Sequence, residues 1–138
     1  MMELQLRFIG VLLIVLALAH VAFPRYFDWR SDLQPLSLIN RQMMYVHTLF
    51  VALMVLLMGL LCVTSADELT QTALGSKICL GLFIFWLTRF IIQFWGYSSE
   101  LWRGKRFETV IHVVFSILWG YLSLLFFMVY CHSVGIFS

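Results

Sequence analysis

Arg106-Phe107-Glu108-Thr109-Val110-Ile111-His112 opens the last apolar run of the chain, which continues as VVFSILWGYLSLLFFMVYC from Val113 to Cys131. About 20 apolar residues are enough for a helix to cross a bilayer. Glu108 and His112 are four residues apart, so a helix puts the carboxylate and the imidazole on one face. The reading that follows from this stretch is a spanning helix that carries polar groups into the membrane at its first turns.

Three more runs of the same kind precede it. They extend from about Leu4 to Phe23, from Leu38 to Thr64 and from Leu74 to Tyr97, with the last from Glu108 to His132. Composition agrees: 62% of the 138 residues are hydrophobic and 12% are charged, against roughly 25% charged in a soluble domain. A net charge of +2, with the basic residues scattered, argues against a nucleic-acid partner. No charge run, low-complexity tract or linker divides the chain, so a single domain over residues 1–138 is expected. The fold class is all-α: four transmembrane helices with short connections, packed as an antiparallel up-down bundle.

The connections set topology. The first run, with Ala17-Leu18-Ala19 near its end, has the outline of a secretory signal. Its start is not basic, however, because Glu3 offsets Arg7, so it is expected to stay as the first span. Pro24, which lacks the N–H that a continuing helix needs, is expected to end it. From Pro24 to Gln42, charges mix with Tyr26, Phe27 and Trp29, as in a loop lying among head groups. Pro35 interrupts that loop, and Ser37 is placed to cap the next helix. Ser65 to Ser76 reads as a short polar connection, and Ser98 to Phe107 as a short basic loop with Trp102. Arg25, Arg30, Arg41, Arg103, Lys105 and Arg106 fall on one side, while Arg7 and Lys77 fall on the other. This bias makes the first side cytoplasmic. Both termini are then on the opposite side, in a bacterial inner membrane.

Polar residues from all four runs gather toward one end: His20 closes the first, His47 opens the second, Arg89 and Gln93 lie in the third, and Glu108 and His112 open the fourth. At about 1.5 Å per residue, Arg89 sits roughly 12 Å inside Tyr97, deep in the apolar layer. Ionisable groups at that depth are expensive and mark a functional site by default. His20, His47 and His112 are candidate ligands for a metal ion or for haem b, with Glu108 either completing a metal site or orienting an imidazole. Arg89 and Gln93 suit a cofactor's polar edge, such as a haem propionate, a lipid phosphate or a quinone oxygen. The structural alternative is an ion pair from Arg89 to Glu108. Trp86, Trp95, Trp119 and Phe115 could wall a flat ligand, although aromatics at helical spacing more often pack or anchor at the interface. Imidazoles from different helices at one depth are similar, in general architecture only, to small b-type cytochromes.

At the other end, Cys62, Cys79, Cys131 and His132 could form a disulfide or a metal site, but cysteines in apolar helices are usually packing residues. The chain has no glycine-rich phosphate loop and no Cys-x-x-Cys-His haem attachment. Its glycines are spread singly through the spans, which suits close helix packing.

Three functions follow as expectations. The first is a redox protein binding haem b or a metal ion through His47 and His112, supported by His20, Glu108, Arg89 and Gln93. The second is a non-catalytic accessory subunit whose partners are other membrane subunits or copies of itself. The third is a lipid- or quinone-binding protein in which Arg89 and Gln93 read the polar group. The lipid bilayer is a partner in all three.

Overall fold

The computed structural model describes residues 2–96, 101 and 103–136. Tyr97, expected to end the third run, and Trp102 of the basic loop lie outside them. Among the described residues all regular structure is helical, and four segments are long and apolar enough to span a membrane: Met2–Tyr26, Leu38–Thr64, Ala73–Trp95 and Arg106–Ser133. In an 18-residue apolar window of each span, only 28, 22, 22 and 28% is buried within the chain. Leucines, valines, isoleucines and phenylalanines are exposed along all four, an apolar surface unlike the scattered apolar residues of a water-soluble monomer. Lipid is the solvent that suits it.

The chain forms two compact units, one from Glu3 to Ala66 and one from Asp67 onward. In the first unit, α1 (Met2–Ala19) runs through a 3-10 turn, His20–Ala22, into α2 (Phe23–Tyr26). Pro24 does not end the helical path, contrary to its sequence reading. It occupies the first turn of α2, where its missing N–H would have had no partner in any case. The expected head-group loop is largely helical too. After Asp28, held in a left-handed conformation at φ 51°, comes α3 (Trp29–Asp32). α4 (Leu38–Thr64) then starts where expected, capped by Ser37 Oγ, which accepts from the Asn40 N–H.

The first unit is held at a crossing of two glycines. A Cβ built on Gly10 would lie 2.7 Å from the Gly59 carbonyl oxygen, and one on Gly59 would lie 2.7 Å from the Gly10 carbonyl oxygen and 2.9 Å from Ile14. Gly10 also meets Val63. Residue 10 opposite 63, with residue 14 opposite 59, makes α1 and α4 an antiparallel pair. Lipid offers no hydrophobic drive to bring helices together, so contact on this scale rests on dispersion between backbones that only glycine lets approach.

In the second unit, the expected polar connection contains a helix, α5 (Ala66–Gln71). It leads through Thr72, whose Oγ1 accepts from the Gly75 N–H at 2.9 Å, into α6 (Ala73–Trp95). Gly75 packs directly against the Glu68 carbonyl and Leu69, and Ser133 Oγ donates to the Thr70 carbonyl at 3.2 Å. α5 thus joins the start of α6 to the end of α7 (Arg106–Ser133). α7 stops at left-handed Gly135, where the Ile136 N–H closes on the Cys131 carbonyl at 2.9 Å. α6 and α7 form the most extensive helix pair of the unit. Phe83 meets Phe127, Trp86 meets Trp119, Phe90 meets Gly120 and Gln93 meets His112, so this pair is antiparallel as well.

Cys62, Cys79 and Cys131 are buried thiols outside any disulfide, and His132 is exposed. The disulfide entertained for them is not formed.

The glycine crossing makes a test. Gly59→Ala should destabilise the full chain in detergent by about 1–3 kcal/mol, because the added methyl overlaps backbone. Gly81→Ala, where a Cβ meets nothing within 4 Å, should be neutral. Equal thermal unfolding of the two variants would refute the crossing.

Candidate functional site

The hairpin of α6 and α7 carries a hydrogen-bonded chain of three polar side chains. Arg89 and Gln93 are one turn apart on α6, and His112 stands across from them in the second turn of α7. The Arg89 guanidinium donates from Nη1 to Gln93 Oε1 at 3.1 Å. Gln93 Nε2 donates to His112 Nδ1 at 3.0 Å and reaches the His112 carbonyl at 3.4 Å. That carbonyl also accepts from Ser116 Oγ at 2.6 Å. Gln93 is 6% exposed, whereas Arg89 and His112 are half-buried.

The chain of bonds has a direction. An arginine can only donate, so the amide oxygen of Gln93 must face it. The amide nitrogen then faces His112, and the imidazole must accept at Nδ1. A neutral imidazole that accepts at Nδ1 carries its proton on Nε2. One donor-only side chain on α6 therefore sets a tautomer on α7.

Aromatic rings surround the arginine. Trp119 stacks on Trp86 with centroids 5.2 Å apart and planes 13° apart, and on Phe115 at 5.5 Å and 26°. Arg89 Cζ lies 5.1 Å from the Trp119 ring centroid, a cation–π distance. Phe94 meets His112 edge-on at 5.8 Å. Charge at membrane depth is thus spread over an amide and a π-face, which eases the cost of leaving water. The indole N–H groups of Trp86 and Trp119 are buried, and the described residues offer them no acceptor. These two orphan donors were not singled out from the sequence, where both residues counted only as wall. A pair of tryptophans flanking a buried arginine was the available signal.

The other candidates are not members of this bonded chain. His20 is at the end of α1, where its Nδ1–H donates to the Leu16 carbonyl at 2.8 Å and its ring packs on Phe23 at 4.6 Å. His47 is exposed on α4. Both belong to the first unit. Glu108 is exposed in the first turn of α7, while Arg89 bonds Gln93 and lies over the Trp119 ring. Trp95 is 82% exposed at the end of α6, apart from the aromatic stack.

The donor set answers the haem or metal expectation. A ligating imidazole needs a lone pair on the nitrogen that faces the metal, usually with the other N–H donated to an acceptor. His112 has the reverse arrangement, with its Nδ1 lone pair used by Gln93 and its proton on Nε2. Among the described residues no group of three His, Cys, Asp or Glu side chains could hold a metal ion. As arranged, His112 does not fit an axial or metal-ligand role.

No protein-family model, curated protein or solved structure matches this chain.

Replacing Gln93 tests the bonded chain directly. Gln93→Leu removes the acceptor of Arg89 and the donor to His112, and should cost about 1–2 kcal/mol of thermal stability in detergent, at the upper end of intramembrane hydrogen bonds. Gln93→Glu keeps an acceptor for Arg89 and should cost less. Two variants as stable as the parent would show that the bonds carry no energy.

Proposed function

We propose that this integral membrane protein binds a flat molecule bearing carbonyl oxygens, of the quinone class, at the Arg89–Gln93–His112 face of its second hairpin. The observation that carries the reading is the uniform polarity of the cluster. The Arg89 guanidinium, the His112 Nε2–H and the two buried indole N–H groups are all donors, and a quinone presents acceptors on a planar apolar ring. Arg89 and His112 would hold the oxygens, Gln93 would keep both donors oriented, and the Trp86–Trp119–Phe115 stack would meet the ring. The two indole N–H groups are buried with no acceptor among the described residues, which is costly where there is no water, so a ligand that satisfies them gains affinity from groups the protein already holds in place. Binding is the extent of the proposal. No redox step is assigned to the protein's own residues.

In the same reading, the two hairpins make four successive crossings as an up-down bundle. The Lys/Arg bias puts the first and third connections in the cytoplasm and both termini outside, in a bacterial inner membrane. A second reading, a non-catalytic accessory subunit of a larger membrane complex, draws on one observation. The Gln93–His112 bond joins α6 to α7 and would stiffen the hairpin with no ligand at all.

The test is a titration of a short-chain benzoquinone into the detergent-purified full chain, followed by calorimetry and tryptophan fluorescence. Saturable binding should weaken about tenfold in Arg89→Gln, the equivalent of one charge-assisted hydrogen bond. Binding that is non-saturable, or unchanged in Arg89→Gln, would overturn the proposal. So would a Soret band in the purified protein that is lost in His112→Ala.

A further inference from the structure

The first unit contains a cleft that plays no part in the reading above. α3 and the segment after it fold against the opening turns of α4, leaving a cavity of about 240 Å³. Its polar lining is Arg30, Arg41, Gln42 and Tyr45, with Trp29 and two leucines completing the wall. Asp28 in its left-handed conformation turns the chain just before Trp29. Trp29 is 9% exposed and meets Tyr45 edge-on at 5.4 Å. This aromatic contact pins α3 to α4 and sets the width of the cleft.

The charge in the cleft is one-sided. Among the described residues two guanidinium groups line it and no carboxylate does. Nε of Arg41 is buried, with no hydrogen-bond partner among the described residues. Two like charges beside a common cavity repel, and an orphan guanidinium N–H in low dielectric is unfavourable, unless an anion lies between them. The cleft also lies at the start of α4, a 27-residue helix whose N-terminal dipole favours negative charge. Arginine forks match the oxygens of a phosphate, and tryptophan and tyrosine are the residues that settle at head-group depth.

From these features we infer that the cleft binds an anionic phosphate group. Its place where an apolar span emerges points to the head group of an anionic phospholipid as the source. Arg41 and Arg30 grip the phosphate, while the Gln42 amide and the Tyr45 hydroxyl supply neutral hydrogen bonds to the rest of the head group.

The experiment is native mass spectrometry of the full chain in detergent, with phosphatidylglycerol or phosphatidylcholine added, alone or with inorganic phosphate. The parent should retain phosphatidylglycerol in preference to phosphatidylcholine. Arg41→Gln should weaken that binding about tenfold, Arg41→Lys should restore part of it, and Lys77→Gln in the other unit should leave it unchanged. Displacement of the lipid by millimolar phosphate would support the site with the free anion as a sufficient ligand. Resistance to phosphate would support the head group as the source. Helical circular dichroism identifies any variant that fails to fold, and Arg30→Gln provides an independent second variant. Equal phosphatidylglycerol affinity in the parent, Arg30→Gln and Arg41→Gln would overturn the inference, as would equal retention of the two lipids.

Discussion

Arginine has hydrogens to give and no lone pair to receive one. At Arg89, inside an apolar helix, that limitation propagates. It turns the oxygen of Gln93 toward the guanidinium, turns the amide nitrogen toward α7, and makes Nδ1 of His112 an acceptor. Water would relax each choice by offering both donors and acceptors. A bilayer offers neither, so the ordering persists over three side chains and across two helices. The order of donation along Arg89, Gln93 and His112 is a consequence of this one residue.

The same solvent explains how the hairpins hold. Most of each span is left uncovered by the rest of the chain, and in lipid burial of apolar area cannot single out one helix arrangement over another. Close approach and a few polar bonds take over that role. Gly10 against Gly59 lets α1 and α4 touch backbone to backbone, while α6 and α7 meet through Phe90 on Gly120, stacked tryptophans and the Gln93–His112 bond. Each pair has its own device, and neither needs a long connection to enforce it.

Much of this was legible in the chain. Runs of apolar residues with Ser37 before one and a short polar break before another locate the spans to within a turn or two, because hydropathy and helix caps are local properties. Arg89, Gln93 and His112 were legible as costly residues at one level. Their order of donation was not, since it depends on a partner 19 residues away across the hairpin. Pro24 misled because a proline can begin a helix as well as stop one, and a 3-10 turn before it makes room. The histidines needed more than spacing. His20 has a satisfying acceptor in its own helix, the Leu16 carbonyl, which spacing alone does not reveal. The glycine crossing was invisible because its two members are on separate helices, and a motif search within one helix sees each as solitary.

The direction of the bonded chain is the claim on which the functional account stands, and the imidazole of His112 reports it. Nitrogen-15 NMR of the histidine-labelled full chain in lipid nanodiscs, with His112→Asn to assign the signal, distinguishes the two neutral tautomers. The account requires a proton on Nε2 and a hydrogen-bonded, unprotonated Nδ1. A proton on Nδ1 with a bare Nε2 would contradict it, and would return His112 to the ligand-competent form that a haem or a metal ion needs.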